Sequence, residues 1–367
     1  RVPVFSFLTL NGAGRYDTFS FASRHVGKFT YNGGVELRPA KSLLFRAAYG
    51  TGFRAPDLHY VFTGPGNVQN GVDDYYLCRS EEPDEDIGDC SYSGSGVIVS
   101  RSGNRNLRPE TGRTLTAGVV FSPSPRLMVS VDYFRVTLAN QVDDLSIDQL
   151  ARDEADCRLG KTDSGTAVDI NSPTCQDALS RIVRFTSGGL AGQIQTINVN
   201  PINIARERTS GLDVALRGSL PTGIGTFTLS LGHSHVIKHD FQQYPGDPLI
   251  NKLAVDSGYY IPRDKSTGSI SWSDQGLQLT VSGTRLGKLP NYDEDAFVKP
   301  YYVFNATMQY DFTDHLRGSL TVRNMFDKMP VKDPTWSSYP YYNASWYDSV
   351  GRSVFLQLTY KLGGDGL

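Results

Sequence analysis

Apolar and polar residues alternate strictly over stretches of about ten residues, many times along this chain, and the connections between stretches are in turn very short and very long. The last stretch is the clearest: Val354, Leu356, Leu358, Tyr360 and Leu362 share one parity, while Ser353, Gln357, Thr359 and Lys361 share the other. Successive side chains of a strand point to opposite sides, so this puts an apolar row on one face and a polar row on the other. Lipid outside and water inside explains such a pair of faces. A soluble sandwich also alternates, with its polar face outward, but it rarely needs a dozen such strands with loops of about fifty residues. The fold class expected is all-β: a transmembrane antiparallel β-barrel, with about 12 strands in this chain.

Other stretches repeat the pattern. Tyr302, Phe304, Ala306, Met308, Tyr310 and Phe312 oppose Asn305, Thr307, Gln309 and Asp311. Leu316, Leu320 and Val322 oppose Arg317, Ser319, Thr321 and Arg323, and Leu43, Phe45, Ala47, Tyr49 and Phe53 oppose Arg46, Gly50, Gly52 and Arg54. Twelve strands are expected at 3–17, 29–39, 42–54, 111–122, 126–141, 202–220, 225–238, 259–273, 276–287, 299–312, 315–326 and 350–362. Short turns join alternate pairs, as at Ser122-Pro123-Ser124-Pro125 and Ser273-Asp274-Gln275-Gly276. Bacterial barrels keep short turns periplasmic and long loops outside, so 18–28, 55–110, 142–201, 239–258, 288–298 and 327–349 are expected to be extracellular. Within the second long loop, 146–156 and 176–183 read as short helices.

Composition narrows the class by exclusion. The 367 residues are 39% hydrophobic and 20% charged with a net charge of −2, which offers neither the basic excess of a nucleic-acid binder nor the apolar poverty of a disordered chain. No apolar run approaches the length of about 18 residues that a membrane helix needs, and Arg1-Val2-Pro3-Val4 lacks the form of a signal peptide. Four cysteines fall as two local pairs, Cys78 with Cys90 and Cys157 with Cys175, each inside a long polar segment. In an oxidising compartment that spacing reads as two loop staples; the alternative is free or metal-bound thiols, for which no Cys-x-x-Cys or nearby His speaks.

Candidate sites concentrate in the loops. Trp336, Tyr339, Tyr341, Tyr342, Trp346 and Tyr347 crowd the last one, a set suited to a ring-bearing or sugar-like ligand; the competing reading is an interfacial girdle and loop packing. Tyr301-Tyr302 and Tyr259-Tyr260 read as girdle. Arg101, Arg105 and Arg108 are candidates for drawing in an anionic solute, whereas Arg46 and Arg323, facing inward, are expected to pair with acidic residues of a plug. Asp73, Asp74, Glu81, Glu82, Asp84, Glu85, Asp86 and Asp89 read as a solvated acidic loop, since their spacing fits no EF-hand; the competing reading is carboxylates that bind Ca²⁺ or attract a cationic ligand. His233 and His235, with His239 nearby, invite a metal reading, but their parity points them outward near the rim, and no metal site is expected. No nucleophile elbow, His-Glu-x-x-His or phosphate-cradling loop occurs, so neither catalytic residues nor a resident cofactor is expected.

Five segments resemble, in order, the TonB-dependent outer-membrane receptors. Tyr49-Gly50-Thr51-Gly52-Phe53-Arg54-Ala55-Pro56 looks like the family's strand-to-loop signature, and Asn104-Arg105-Asn106-Leu107-Arg108-Pro109-Glu110-Thr111 is similar to the start of its next descending strand. Thr209-Ser210-Gly211-Leu212-Asp213, Val322-Arg323-Asn324-Met325-Phe326-Asp327-Lys328 and Gly351-Arg352-Ser353-Val354-Phe355 match further strand ends. The carboxy terminus departs, ending in Gly-Gly-Asp-Gly-Leu rather than on an aromatic residue. The resemblance implies a 22-strand barrel occluded by an amino-terminal plug, of which residues 1–367 would be the carboxy-terminal part. It further implies import of a scarce solute, energised by the TonB complex acting through a plug and TonB box not contained in this chain. Ferric siderophore, carbohydrate and peptide remain open as solute, a surface lipoprotein is a candidate further partner, outer-membrane lipid surrounds the barrel, and nucleic acid is not expected. The rival readings are a passive porin-type channel and an outer-membrane hydrolase; the latter lacks a Ser/His pair on one outward face, because Ser234 alternates away from its His neighbours.

Overall fold

The computed structural model describes residues 2–21, 24–144, 146–242 and 248–362. Parts of the expected 18–28, 142–201 and 239–258 loops, and the Gly-Gly-Asp-Gly-Leu terminus, lie outside the described residues.

In chain order, β1 (Val2–Phe5), β2 (Leu8–Phe21), β3 (Arg24–Ala40) and β4 (Leu43–Arg54) lead into the first long loop. That loop holds α1 (Leu58–Phe62), β5 (Gly66–Val72), α2 (Tyr75–Glu81) and β6 (Ser95–Arg101). Two strands follow, β7 (Glu110–Ser124) and β8 (Leu127–Asp143), and then the second long loop with α3 (Ile147–Leu159), α4 (Pro173–Arg181), β9 (Ile182–Arg184) and β10 (Ile194–Val199). The remainder is β11 (Ile202–Thr222), β12 (Gly225–Gln242), β13 (Ile250–Asn251), β14 (Asp264–Asp274), β15 (Leu277–Leu286), β16 (Leu289–Pro290), β17 (Phe297–Val298), β18 (Tyr301–Asp311), β19 (Leu316–Arg323) and β20 (Ser353–Tyr360). One antiparallel sheet runs β1-β2-β3-β4-β7-β8-β11-β12-β14-β15-β18-β19-β20, with β13 paired to β12.

The sheet is the meander that the alternation predicts, with local corrections. The expected strand 3–17 is two strands: Phe5 faces Leu8 across a turn at Ser6-Phe7, where the stacked rings of Phe5 and Phe7 keep the apolar parity running and no Gly, Pro or Asn marks the reversal. The expected 18–28 loop shrinks because β2 and β3 stay paired up to Phe21 and Arg24. At the other end, β14 starts at Asp264 rather than 259, leaving Tyr259-Tyr260 in the loop.

Burial shows what this sheet packs against. Leu356, Leu358, Tyr360, Ile270, Met308 and Phe45 are 77%, 68%, 62%, 52%, 45% and 45% exposed, a continuous apolar face with no protein over it among the described residues. An exposed apolar surface of that extent in a folded chain marks contact with lipid or protein, and the two-residue period over thirteen strands fits lipid. No described helix is long and apolar enough to cross a membrane. Buried hydrophobic clusters gather instead at the loop end of the sheet.

The opposite face is polar and braced across strands. Arg46, Gly118 and Asp132 stand abreast on β4, β7 and β8. The missing side chain of Gly118, where a Cβ would lie 2.0 Å from Asp132 Oδ1, lets Arg46 Nε and Nη2 reach across to Asp132 at 2.8 and 2.6 Å. Arg46 thus has an acidic partner within its own sheet. Arg323 lies over the Phe355 ring at 4.7 Å.

Candidate functional site: the loop end of the sheet

The two long loops fold together into a cap. β5, β6, β10 and β9 make a second, four-stranded sheet in which β6 from the first loop runs parallel to β10 from the second. Val97, Val99, Ile194, Ile197 and Val199 point from it into a core shared with Leu150, Ala151 and Ala155 of α3. The helices start where the sequence supplies a cap: Ser146 Oγ accepts from Gln149 N, Ser172 Oγ from Cys175 N with Pro173 following, and Asp74 Oδ1 from Leu77 N. They occupy 147–159 and 173–181 where 146–156 and 176–183 were expected. Both disulfides form as the spacing suggested: Cys78–Cys90 closes the end of α2, and Cys157–Cys175 ties α3 to α4.

At the centre of the cap sits a buried ion network. Arg184, at the end of β9, donates to Asp74 Oδ2 and Oδ1 at 2.8 and 3.0 Å and to Glu154 Oε1 and Oε2 at 2.8 and 2.5 Å. Its side chain is 11% exposed, and those of Asp74 and Glu154 are 1% and 0% exposed. Burial works against the guanidinium charge, but the hydrogen bonds it donates to Glu154 and Asp74 outweigh it and hold the Arg184 pKa above its usual range. Tyr76 stacks beneath Arg184 at 5.1 Å and beneath Arg158 at 5.2 Å. Asp74 belongs to the first loop and Glu154 to the second, so the network locks one to the other. The Tyr75 phenol, pushed upward by burial and its hydrogen bond to Asp148, adds a further tie across the same seam at 2.7 Å.

The acidic run is therefore only partly a solvated face. Asp74 is buried, Asp73 accepts from Ser93 Oγ and Gly94 N, Glu81 from the Tyr92 hydroxyl and Glu82 from Ser91 N. Asp84, Glu85, Asp86 and Asp89 are exposed.

The aromatic loop has two layers. Tyr342 and Tyr347 are each 6% exposed and pack with Tyr301, Leu286 and Leu289, with edge contacts at 6.1 Å between Tyr342 and Tyr347 and 5.2 Å between Tyr301 and Tyr347. Tyr301 thus belongs to this core and not to a girdle; its hydroxyl donates to Lys328 O at 2.8 Å. Above that layer Tyr339, Tyr341 and Trp346 are 86%, 43% and 41% exposed, and Lys332 Nζ lies 5.7 Å from the Tyr341 ring. Trp336 leans on Tyr292 at 5.0 Å, where the buried Asp333 accepts from Tyr292 N and so joins this loop to the β16–β17 hairpin.

The arginine candidates lie elsewhere on the loop end. Arg101 is ion-paired to Asp144, Arg105 sits 5.7 Å from the Phe62 ring, and Arg108 is held through its backbone by Asn203 with its side chain exposed. They stand over the β4–β7 connection and the aromatics over β19–β20, with β8, β11, β12, β14, β15 and β18 between.

A further polar group went unrecognised in the sequence. A bulge opposite Ser210/Gly211 turns His239 to the face away from His233 and His235. There Glu207 accepts from Lys252 Nζ at 2.8 Å and meets His239 Nε2 at 2.7 Å. Lys252 is sandwiched 4.7 and 4.4 Å from the Phe241 and Tyr259 rings. Glu207 stands fifteen residues (207 against 222) from the turn end of β11, beyond the about 9–11 residues that cross a membrane. His239 and Lys252 hold its carboxyl down to about 2 against the opposing effect of burial.

Architecture and site define a class: a long antiparallel meander with a bare apolar face, of the kind that walls a membrane barrel, whose two long loops fold together into a cap and whose last loop carries exposed aromatics. The model of the family described as TonB dependent receptor-like, beta-barrel, matches residues 4–325, and the chain belongs to that family. Among solved structures it is similar to a mutant ferric enterobactin receptor (PfeA) of Pseudomonas aeruginosa, with TM-score 0.60 and 16% identity over 97% of this chain and 43% of that one. The siderophore receptor PirA of Acinetobacter baumannii gives TM-score 0.59 and 14% identity, covering 98% of this chain and 44% of that one. The chain thus spans less than half the length of these neighbours. No curated protein sequence matches it.

Within this family fold the resembling motifs act as corners. Asn324, with positive φ and 5% exposure, exchanges hydrogen bonds with Lys328 N and O, and Asp327 Oδ1 accepts from Arg352 N to seat the start of β20. Leu107, 1% exposed, packs on Val61 and Val142, while Glu110 Oε1 accepts from Val142 N.

Proposed function

We propose that this chain is the carboxy-terminal part of the barrel of an outer-membrane transporter that captures a scarce, bulky solute at its loop end and imports it with TonB-derived energy. A barrel this wide needs a plug, and moving a tightly held solute inward past it needs external work. The observation that carries the reading is the division of the molecule: a bare apolar face along the strands, and at their loop end a covalently stapled cap beside an exposed aromatic ridge. A passive pore has no use for a preorganised binding end. Preorganisation lowers the ordering cost of capture, and exposed Tyr and Trp supply stacking area with hydrogen-bonding edges. Ligand contact is assigned to Tyr339, Tyr341 and Trp346, with Trp336 and the buried Tyr342 supporting them; Arg101, ion-paired to Asp144, and Arg105 lie over the β4–β7 connection and are assigned a separate role in drawing in an anionic solute. Ferric siderophores lead as solute class, since one neighbour is named a ferric enterobactin receptor and the other a siderophore receptor; carbohydrate or peptide is second. No catalytic step is assigned.

The test is equilibrium binding of a panel of ferric siderophores, oligosaccharides and peptides to cells expressing the full-length gene. Saturable binding of one class is expected. Combined Tyr339→Ala, Tyr341→Ala and Trp346→Ala should weaken it roughly 10- to 100-fold at unchanged surface expression. Binding indifferent to all three substitutions would remove the ridge from the site, and non-saturable association with every compound would favour the porin.

A further inference from the structure

The apolar face is not uniform. Across β12, β14, β15 and β18 it holds a trough of about 640 Å³, within the range of roughly 300–1,000 Å³ common for small-ligand sites. Its floor is Ile270 and Val281, and its walls are Leu231 and Phe304. Gly268 and Gly283 sit opposite each other on neighbouring strands and let the walls lean in over them: a Cβ on Gly268 would lie 2.7 Å from Leu231 Cδ2, and one on Gly283 2.8 Å from Phe304 Cδ1.

One end of the trough is polar. His233, Ser266, Arg285 and Tyr302 line it there, all on the outward parity with Leu231 and Ile270. Arg285 is eight residues up β15 from the turn end at Leu277 (285 against 277). At about 3.3 Å per residue and a tilt near 45°, that places it roughly 19 Å above the turn, in the upper quarter of an apolar band about 25 Å tall. Arg285 Nε donates to the neutral Tyr302 hydroxyl at 3.2 Å, and its guanidinium lies 5.9 Å from the same ring. The nearby carboxylate, Asp264, meets His235 Nδ1 at 2.7 Å and His233 Nε2 at 3.6 Å, while His233 Nδ1 lies 2.9 Å from Ser266 Oγ. The upper end of an acyl-sized trough thus presents a guanidinium with no carboxylate ion-paired to it among the described residues, about 6 Å below the top of the apolar band and on a side chain long enough to reach a headgroup.

We propose that this outward trough is a specific site for one anionic, phosphate-bearing membrane lipid, with an acyl chain along Ile270 and Val281 and the phosphate on Arg285. The guanidinium fork suits a phosphate, and the trough gives the chain a shaped surface that the rest of the apolar face lacks. The site is independent of solute capture, since it lies on the face away from the polar interior.

The experiment is native mass spectrometry of the delipidated, detergent-purified full-length protein incubated with dimyristoyl phosphatidylglycerol, dimyristoyl phosphatidylcholine or inorganic phosphate. One phosphatidylglycerol should be retained about tenfold more than phosphatidylcholine, and Arg285→Gln should erase that preference. Val281→Trp, which fills the floor from the lipid side, should lower retention of both lipids, and Arg285→Lys should leave an intermediate preference. Equal retention of the two lipids by the wild type, a preference surviving Arg285→Gln, or retention of inorganic phosphate without any acyl chain would overturn the proposal.

Discussion

Arg184 shows how a single loop side chain can hold a binding end together. It neutralises two carboxylates from different loops, Asp74 and Glu154, in a setting where neither can reach water. Removing one partner of such a set leaves uncompensated buried charge and costs roughly 3–5 kcal/mol, far more than an exposed pair. Arg184→Met should therefore open the cap, read as new protease cuts within 66–101 and 147–199, while the sheet keeps its β-signature in circular dichroism. A cap as protease-resistant as the wild type would show that the core around Ile197 suffices alone. Nothing in the sequence singles out Arg184: it is one arginine in a polar loop, and its partners lie far away in the chain. Asp74 was visible only as a member of an acidic run, because its burial depends on a second loop folding over it.

Strands were legible where one face meets lipid and the other water, since that contrast writes the period-two pattern directly. The composite sheet β5-β6-β10-β9 was not, because it pairs segments of two separate loops and its strands are three to seven residues long. The cysteines were legible for the opposite reason: each pair closes locally, over separations of 12 and 18 residues. Closures of that length contribute about 3 kcal/mol each in the chain-entropy account. Replacing both cysteines of either pair with alanine should loosen the cap by about that amount, measured as faster amide exchange in α2 or in α3 and α4, with the main-sheet strands unaffected. Equal exchange in the cap of wild type and variants would mean that the staples are redundant with the Arg184 network. The β1–β2 turn escaped notice because Phe5 and Phe7 keep the alternation intact through the reversal.

For the molecule as a whole, the sequence conveyed the meander, the lipid face and the short-turn and long-loop ends, but not how the loops pack. The aromatic loop illustrates the limit: composition identified the cluster, while only packing separates the buried Tyr342 from the exposed Tyr339. The topology makes a simple prediction. No free cysteine is present among the described residues, so a single introduced thiol reports its side of the membrane. Tyr339→Cys in the full-length protein should react with an impermeant maleimide on intact cells, and Lys41→Cys, at the β3–β4 turn, only after the outer membrane is breached. The reverse pattern would invert the barrel.

The central claim, energised import through this family fold, is tested most directly by solute uptake into cells carrying the full-length gene, with and without a proton uncoupler, under iron-limited and iron-replete growth. The account predicts saturable uptake that the uncoupler abolishes, with iron limitation inducing it if the solute is a ferric siderophore. Uptake that rises linearly with concentration and ignores the uncoupler would contradict the account and leave a passive channel.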